Sequence, residues 1–493
     1  MSAELDLAAR VVELTRRLAG PGAEAEVVAA HSAEALTRFA NSAIHQNVAE
    51  ATTTVRLRLH LDGRTAGGST TVTTADGLRS LVERTVAAAR LSPPDVTWPG
   101  LTPPTALRPD PGFDEATAGA GPEERALRVR DFVRAAGGLE TAGFCRTAYA
   151  SGGFANTLGQ AVHGRSAEAA MDGIARLAGA DGVARRAGGR LAGLDGAELG
   201  AVAAAKARAG ADPIELPPGR YEVVLEPTAV ADLLGNLAGF GFNGKAFAQH
   251  QSFAELGVQQ FDESITIADE PLGATLPFDA EGTPRDTLTL VESGVTRAVS
   301  HDRTSAAEAG TVSTGHASPS SRSWGPIAAD LRLAPAPVSP VATRGSDASD
   351  RSPGSAPGNT PSPSPAPAPG DVGQTGAGQA GAGPVAASAR ALAAGVRRGL
   401  LVTDLWYTRV LDQKSLVVTG LTRNGVWLIE NGEVTAAVGN LRFTQSYPQA
   451  LGPGAVLGLG TETVALPDRW SGVRYTAPAL HLASWNFTGN ASG

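Results

Sequence analysis

The chain has 493 residues, of which 42% are hydrophobic, so it is long enough to bury more than one hydrophobic core. Its formal net charge is -8 and it contains no block of lysines or arginines, which argues against nucleic acid as a partner. Its single cysteine, Cys145, excludes an internal disulfide and fits a reducing compartment.

No targeting or membrane segment is recognisable in the sequence. The first residues, MSAELDLAARVVELTRR, mix charged and apolar positions and lack the apolar core of a signal peptide. No stretch approaches the roughly 20 consecutive apolar residues that span a bilayer. We therefore expect a cytoplasmic protein without a membrane partner.

The first predicted elements have clear periodic patterns. An apolar stripe over residues 5–18 predicts an amphipathic helix that Gly20 ends. Residues 53–61 alternate strictly between apolar or threonine positions and polar ones, which predicts a strand with one buried face and one wet face.

Further helices are predicted before the first domain boundary. Helical spacing returns at residues 78–89, and Pro122 and Asp195 have the features of helix starts. A proline-rich connection then places a domain boundary near residue 212. We predict that residues 1–212 form an α+β domain with helices on a largely antiparallel sheet.

The rest of the chain predicts a mainly β domain, beginning with a strand at residues 221–226. Residues 334–395 are rich in Pro, Gly, Ser and Ala and contain no aromatic residue, so they cannot bury enough apolar area to offset their ordering entropy. We predict a disordered insertion there, with a polyproline docking motif as the alternative. The domain then consists of residues 213–333 and 396–493.

The sequence contains no recognisable catalytic motif. A zinc peptidase helix needs two histidines one turn apart beside a glutamate, and no two of the eight histidines lie three to five positions apart. A metal site would need distant ligands such as His250, Glu255 and Asp269. Cys145 has no thiol-protease signature around it and is interpreted as structural, and Lys245 is not followed by the serine or threonine of a phosphate-binding loop.

One group of carboxylates lies between residues 263 and 281. Such a group can bind a hard cation or perform acid–base chemistry, although acidic residues near turns more often cap the backbone or face solvent. The members are Glu263, Asp269, Glu270, Asp279 and Glu281. The residues alone therefore predict a two-domain α+β protein and do not identify its functional site.

Several stretches, in a common order and spacing, resemble the TldD/PmbA family, which contains modulator-of-gyrase proteins and metallopeptidases. The likeness extends over the chain outside residues 334–395. The stretches are RFANS at 38–42, TTTVRLRLHLDGRTAGGSTT at 52–71, LGVQQFDESITIADEP at 256–271, PFDAEGTPRDTLTLVESGV at 277–295, STGHA at 313–317, GLLVTDLWYTR at 399–409, VVTGLTRNGVWLIENGEV at 417–434 and LRFTQS at 441–446.

Catalytic members of that family carry HExxxH on a helix that follows a strand. Aligning VVLEPTAVADLLGNLAGF with that unit places Gly235 and Phe240 at the two histidine positions and Asn236 at the glutamate position. Glycine has no side chain, phenylalanine has no lone pair and asparagine has no useful basicity. The family's third zinc ligand is a cysteine of the C-terminal domain, and no cysteine follows residue 212.

The resemblance therefore implies the PmbA branch, which is TldE-like. A member of this branch is expected to be a non-catalytic subunit without a metal, cofactor or catalytic residue of its own. It would form a heterodimer with a TldD-like chain that supplies zinc, and the pair would degrade unfolded peptides by proteolysis. The alternatives are an active metallopeptidase with displaced ligands and a stand-alone peptide-binding or scaffold protein.

Overall fold

The computed structural model describes residues 2–108, 112–271, 275–337, 386–467 and 473–491. The N-terminal part contains five helices and a six-stranded antiparallel sheet of order β3-β2-β1-β4-β5-β6. Its elements are α1 (Ala3–Ala19), β1 (Glu24–Ala40), β2 (Ala43–Leu61), β3 (Arg64–Thr70), α2 (Ala75–Leu91), α3 (Glu115–Ala118), α4 (Pro122–Ala135), β4 (Glu140–Asn156), β5 (Ala161–Leu177), β6 (Ala180–Gly188) and α5 (Gly196–Ala209).

Both helix pairs of this part cover the same face of the sheet. Val27 on β1 packs in the core under α1 and α2, whereas Phe39 on the same strand packs in a second core under α4 and α5. Residues an even number apart on a strand point to the same side. Between the two cores, Ala33 and Ala35 of β1 are only partly buried.

The local predictions for this part are confirmed. Helix α1 starts after Ser2, whose hydroxyl accepts the Leu5 N–H at 3.2 Å, and its apolar stripe is buried. On β2, Val55, Leu57 and Leu59 are fully buried while the residues between them are more exposed. Each pattern has the same physical cause: burying the apolar face of the helix or strand stabilises the fold.

The C-terminal part is mainly β, as predicted. Its elements are β7 (Gly219–Leu225), α6 (Pro227–Asn236), α7 (Gly244–Ala248), β8 (Ile267–Asp269), β9 (Leu288–Glu292), β10 (Val295–Thr296), α8 (Arg303–Glu308), α9 (Ser321–Trp324), β11 (Asp330–Leu333), α10 (Ala387–Ala393), β12 (Arg398–Asp412), β13 (Val417–Glu430), β14 (Glu433–Ala437), β15 (Leu441–Ser446), α11 (Tyr447–Ala450), β16 (Val456–Pro467) and β17 (Arg474–Asn490).

Five of these strands close into a barrel. Strand β17 pairs with β15 on one side and with β7 on the other, and β7, β12, β13 and β15 complete the ring. Helix α6 packs on β12 and β17, and its buried residues Val230, Leu233 and Leu234 belong to the largest core among the described residues. The predicted α+β class, with a mainly β C-terminal domain, is therefore confirmed.

The predicted insertion is only partly described. Residues 338–385 lie outside the described ranges, and at the C-terminal end the disorder expected as far as residue 395 is wrong, because Ala387–Ala393 form helix α10. Alanine is the strongest helix former, and Ala389 and Ala393 are buried in a core that also contains Trp427. A packed helix therefore forms at the end of a segment of low-complexity composition.

The boundary predicted near residue 212 falls in the connection between α5 and β7. In the described ranges, no helix is both long and apolar enough to cross a lipid bilayer.

Candidate functional site

Strand β7 and helix α6 form the segment that the resemblance aligns with HExxxH. Pro227 is the first helical residue, a position where its missing N–H costs no helical hydrogen bond. After Asn236 the helix widens into a π-type turn, Leu237–Gly241, which ends at Phe242. Such turns occur frequently at functional sites.

The three aligned residues have different surroundings. Gly235 faces the ring of Tyr475, and a Cβ atom added to it would lie 3.3 Å from the tyrosine hydroxyl oxygen. The Asn236 amide donates to the Asp232 carbonyl at 3.0 Å and to its carboxylate at 3.2 Å. Phe240 is partly buried against the barrel core.

Gly235 and Asn236 line a cavity of about 630 Å³, a volume in the usual range for ligand sites. Its walls come from α6, β12, β16 and β17, and β6 contributes Arg185. Arg185 forms ion pairs with Asp172 at 2.6 Å and with Asp404 at 2.9 Å. Burial alone would lower the pKa of Arg185, but these two carboxylates raise it.

Aromatic residues stand at this cavity. Trp406, Tyr407 and Tyr475 line it, and Tyr407 is 64% exposed with a left-handed φ of 54°. A bulky residue rarely adopts that conformation, and such backbone strain concentrates at functional sites. The cavity can therefore contact a ligand through aromatic rings and hydrogen bonds.

The residues at this site do not fit a zinc ion. A catalytic zinc takes three protein ligands from histidine, cysteine or carboxylate side chains. Gly235 offers none, Phe240 packs in the core, and the Asn236 amide nitrogen is already hydrogen-bonded to Asp232. In the part of the chain that the structure describes, no group of three or more His, Cys, Asp or Glu residues is placed to hold a metal.

The displaced ligands considered from sequence are not brought together. His250 and Glu255 are exposed, whereas Asp269 is completely buried. Asp269 accepts hydrogen bonds from Arg285 at 2.8 Å and lies 3.0 Å from His316. Burial alone would raise the pKa of Asp269, but Arg285 and His316 lower it far below its usual range. Asp269 is thus part of a buried structural network.

A second cavity, of about 960 Å³, lies between the N-terminal sheet and the C-terminal part. Glu26, Arg58 and Glu281 line it, and Arg58 forms ion pairs with Glu26 at 2.6 Å and with Glu281 at 3.0 Å. Arg303 contacts both carboxylates and completes a cluster of four charged residues from both parts. Burial raises the pKa of Glu26 to about 7, against the opposing effect of the two arginines.

The predicted carboxylate group is divided between these surroundings. Glu281 joins the four-residue cluster, and Asp279 is buried and accepts backbone N–H groups from Glu281, Thr283 and Ala317. Burial, with a contribution from Glu281, raises the pKa of Asp279 to about 7.

The remaining two members lie elsewhere. Glu263 is exposed, and Glu270 forms an ion pair with Arg332 at 3.0 Å. The structure therefore assembles no cation site from the predicted group.

Cys145 and Lys245 have structural surroundings. Cys145 is buried on β4, as expected, and burial raises the pKa of its thiol to about 12, so it is a poor nucleophile. The Lys245 ammonium donates to the carbonyl oxygens of Arg322 and Ser323 at 2.8 and 3.0 Å, at the end of α9. Neither residue faces a reactive arrangement.

Sequence comparison identifies the family. The chain matches the PmbA/TldA metallopeptidase C-terminal domain over residues 218–335 and 374–489, and PmbA/TldA metallopeptidase domain 1 over residues 25–89. These ranges cover more than half of the chain, which belongs to the PmbA/TldD family. A search of curated protein sequences finds no match.

Solved structures share the fold over nearly the whole length. TldE from Thermococcus kodakarensis has a TM-score of 0.77 at 16% identity, covering 98% of this chain and 99% of that chain. A protein described as a modulator of DNA gyrase from Thermotoga maritima has a TM-score of 0.76 at 17% identity, covering 98% and 99%. A protein from Bacteroides thetaiotaomicron, also described as a modulator of DNA gyrase, has a TM-score of 0.74 at 17% identity, with 98% of each chain covered.

Proposed function

We propose that this chain is the non-catalytic, TldE-like subunit of a TldD/TldE-type metallopeptidase complex that degrades unfolded peptides in the cytoplasm. The observation that carries the proposal is the pairing of Gly235 with Tyr475. At the position that the resemblance aligns with a metal-binding histidine, this chain has a glycine. A Cβ atom added there would lie 3.3 Å from the Tyr475 hydroxyl oxygen and 3.4–3.5 Å from two of its ring carbons.

The chemistry of peptide hydrolysis supports this role. Without a metal, nothing lowers the pKa of the attacking water from about 15.7 towards 7. The Asn236 amide cannot accept the proton of that water, because an amide nitrogen has no basic lone pair. The chain would therefore need zinc and a general base from a TldD-like partner, and would itself help to enclose the chamber in which the peptide is cut.

The cavity beside Gly235 supports a contribution to peptide binding. It has a volume of about 630 Å³, and the exposed ring of Tyr407 stands at it. Aromatic rings and hydrogen-bonding groups contact a peptide without demanding one sequence. A subunit of this kind suits a peptidase of broad specificity.

The test is co-purification with a TldD-like chain from the same cell, followed by metal analysis and peptidase assays of each chain and of the pair. We expect one complex, with zinc and chelator-sensitive activity that require the partner. One tightly held zinc on the purified chain alone, with hydrolysis that chelation abolishes and zinc restores, would favour the displaced-ligand enzyme. A stable homodimer that does not bind the TldD-like chain would favour the stand-alone scaffold protein.

A further inference from the structure

More than half of strand β2 has a neighbouring strand on only one side among the described residues. Strand β2 pairs with β1 along its whole length, but β3 pairs with β2 only from Val55 to Leu61. Residues 43–54 therefore expose one edge of backbone N–H and C=O groups. At about 3.3 Å per residue this edge is roughly 40 Å long.

The exposed edge has little of the protection that sheet edges normally carry. Monomeric proteins protect such edges with proline, lysine, bulges or a covering loop. The sequence of residues 43–54, AIHQNVAEATTT, contains neither proline nor lysine, and Glu50 is its one carboxylate. One bulge lies in the segment, at His45, and the register with β1 is regular from Gln46 onwards.

Small side chains beside this edge leave room for another chain. Ala51 lies opposite Ala33, and Ala49 lies opposite Ala35, on the stretch between the two helix pairs. Residues 45–51 of β2 are all exposed. Such a row of unpaired backbone groups beside small side chains is the template for strand addition.

We propose that residues 43–54 of β2 bind an extended strand of the partner subunit, which continues the sheet where β3 leaves it. This inference rests on the proposed function. Peptide substrate is the other candidate occupant, and the position of the edge argues against it. The cavity beside Gly235 borders β6, at the opposite edge of the sheet, four strand spacings or roughly 19 Å from β2. The larger interdomain cavity meets β2 only at residues 56–58, beyond the segment that lacks an outer strand.

The two sheet edges also differ in what covers them. At the other edge, β6 is contacted by β13 and β16 of the C-terminal part, and residues 161–168 of β5, which β6 does not reach, contact α3 and Pro277. The described residues provide no strand beside residues 43–54. An edge that the chain itself covers is closed to strand addition, whereas an uncovered edge with little protection is a template for pairing with another chain. The partner strand therefore belongs on β2.

The first test is amide hydrogen exchange of the intact chain, alone and with the TldD-like chain. We expect alternate amides in residues 44–54 to exchange at least about tenfold more slowly in the complex. Casein, as an unstructured polypeptide, should leave them unchanged. Protection by casein but not by the partner would identify substrate as the occupant and overturn the proposal.

The second test is the double variant Val48→Lys with Thr52→Lys, which places the lysines that natural edges use against strand pairing. We expect binding to the partner to weaken by about tenfold or more. The matched control is Leu91→Lys with Val96→Lys, which makes the same charge change at side chains 87% and 93% exposed elsewhere in this part.

The outcomes separate the two proposals. A double variant that binds the partner as tightly as the unaltered chain overturns the strand addition and leaves the proposed function in place. An unaltered chain that binds no TldD-like partner overturns both.

Discussion

Lys206 of helix α5 and Glu226 at the start of helix α6 form a buried ion pair, with the ammonium nitrogen 2.5 Å from a carboxylate oxygen. The second Glu226 oxygen accepts the Ala386 N–H at 3.2 Å, just before helix α10. One side chain therefore connects the N-terminal domain, the aligned helix and the end of the insertion.

Removing one partner of this pair should be costly, because the other charge stays buried without compensation. We expect Lys206→Met to lower the free energy of unfolding by about 3 kcal/mol or more. The double variant Lys206→Met with Glu226→Gln should lose clearly less, since glutamine can still accept the Ala386 N–H. Urea unfolding of the three proteins measures this, and equal losses in both variants would show that the charge itself is unimportant.

The insertion should be replaceable by a short linker. Its two ends are close together, because the Ala336 N–H donates to the Gly460 carbonyl at 3.0 Å and Ser388 also lies beside Gly460. Loop-closure entropy changes slowly with length, so replacing residues 341–383 by a Gly/Ser linker should change the free energy of unfolding by about 1 kcal/mol or less.

Extending that deletion through residue 393 is the matched control, because it also removes helix α10. It would uncover Trp427, which is 2% exposed, and should cost about 3 kcal/mol or more. Thermal and urea unfolding distinguish the two deletions. A shorter deletion that loses its cooperative transition would contradict the prediction.

His301 should make stability fall on mild acidification. It is 4% exposed, and burial, aided by His316, lowers its pKa to about 4. The unfolded chain takes up a proton at this position near pH 6.5, whereas the folded chain does so only near pH 4, so stability is lost as the pH falls through this window. Between pH 7 and pH 5 the loss should be about 2 kcal/mol.

Glu26 and Asp279, whose pKa values are raised, act in the opposite direction, so the measurement compares the unaltered chain with His301→Asn at both pH values. The unaltered chain should lose about 2 kcal/mol more than the variant. Identical pH dependence in the two proteins would mean that His301 is protonated in the fold.

Cys145 should react with thiol reagents only after unfolding. Its side chain is fully buried on β4 and the thiol pKa is about 12, so almost no thiolate exists at neutral pH. Because it is the single cysteine, the count is direct: we expect about one labelled thiol per chain in denaturant and almost none in buffer. Rapid labelling of the folded chain would contradict its burial.

Sequence patterns predicted the helices and strands that are determined by residues close together in the chain. Helix α1 and strand β2 are amphipathic, and one buried face fixes their period wherever they lie in the fold. Helix α10 escaped prediction because Ala389 is buried only once Trp427, distant in the chain, packs against it. Its alanine-rich composition carried no periodic signal of that contact.

The sequence patterns also did not predict the interdomain cluster, because its residues are far apart along the chain. Glu26 and Arg303 are 277 residues apart in sequence, so no motif spacing relates them. The acidic run that includes Glu281 was visible, but its arginine partners from β2 and α8 were not. The pairing of Gly235 with Tyr475 is non-local in the same way, and only the family resemblance pointed to that helix.

The closure of the C-terminal barrel has a consequence for how the chain is made. Strand β7 is synthesised long before β17, yet β17 supplies its antiparallel neighbour and buries Trp485 and Phe487 in the core. A nascent chain released before residue 474 would hold an open barrel with its apolar interior exposed, a state prone to aggregation and degradation. Premature termination of translation within this domain should therefore leave no soluble fragment of it. The N-terminal domain is complete by residue 209 and can fold while the C-terminal domain is still being translated.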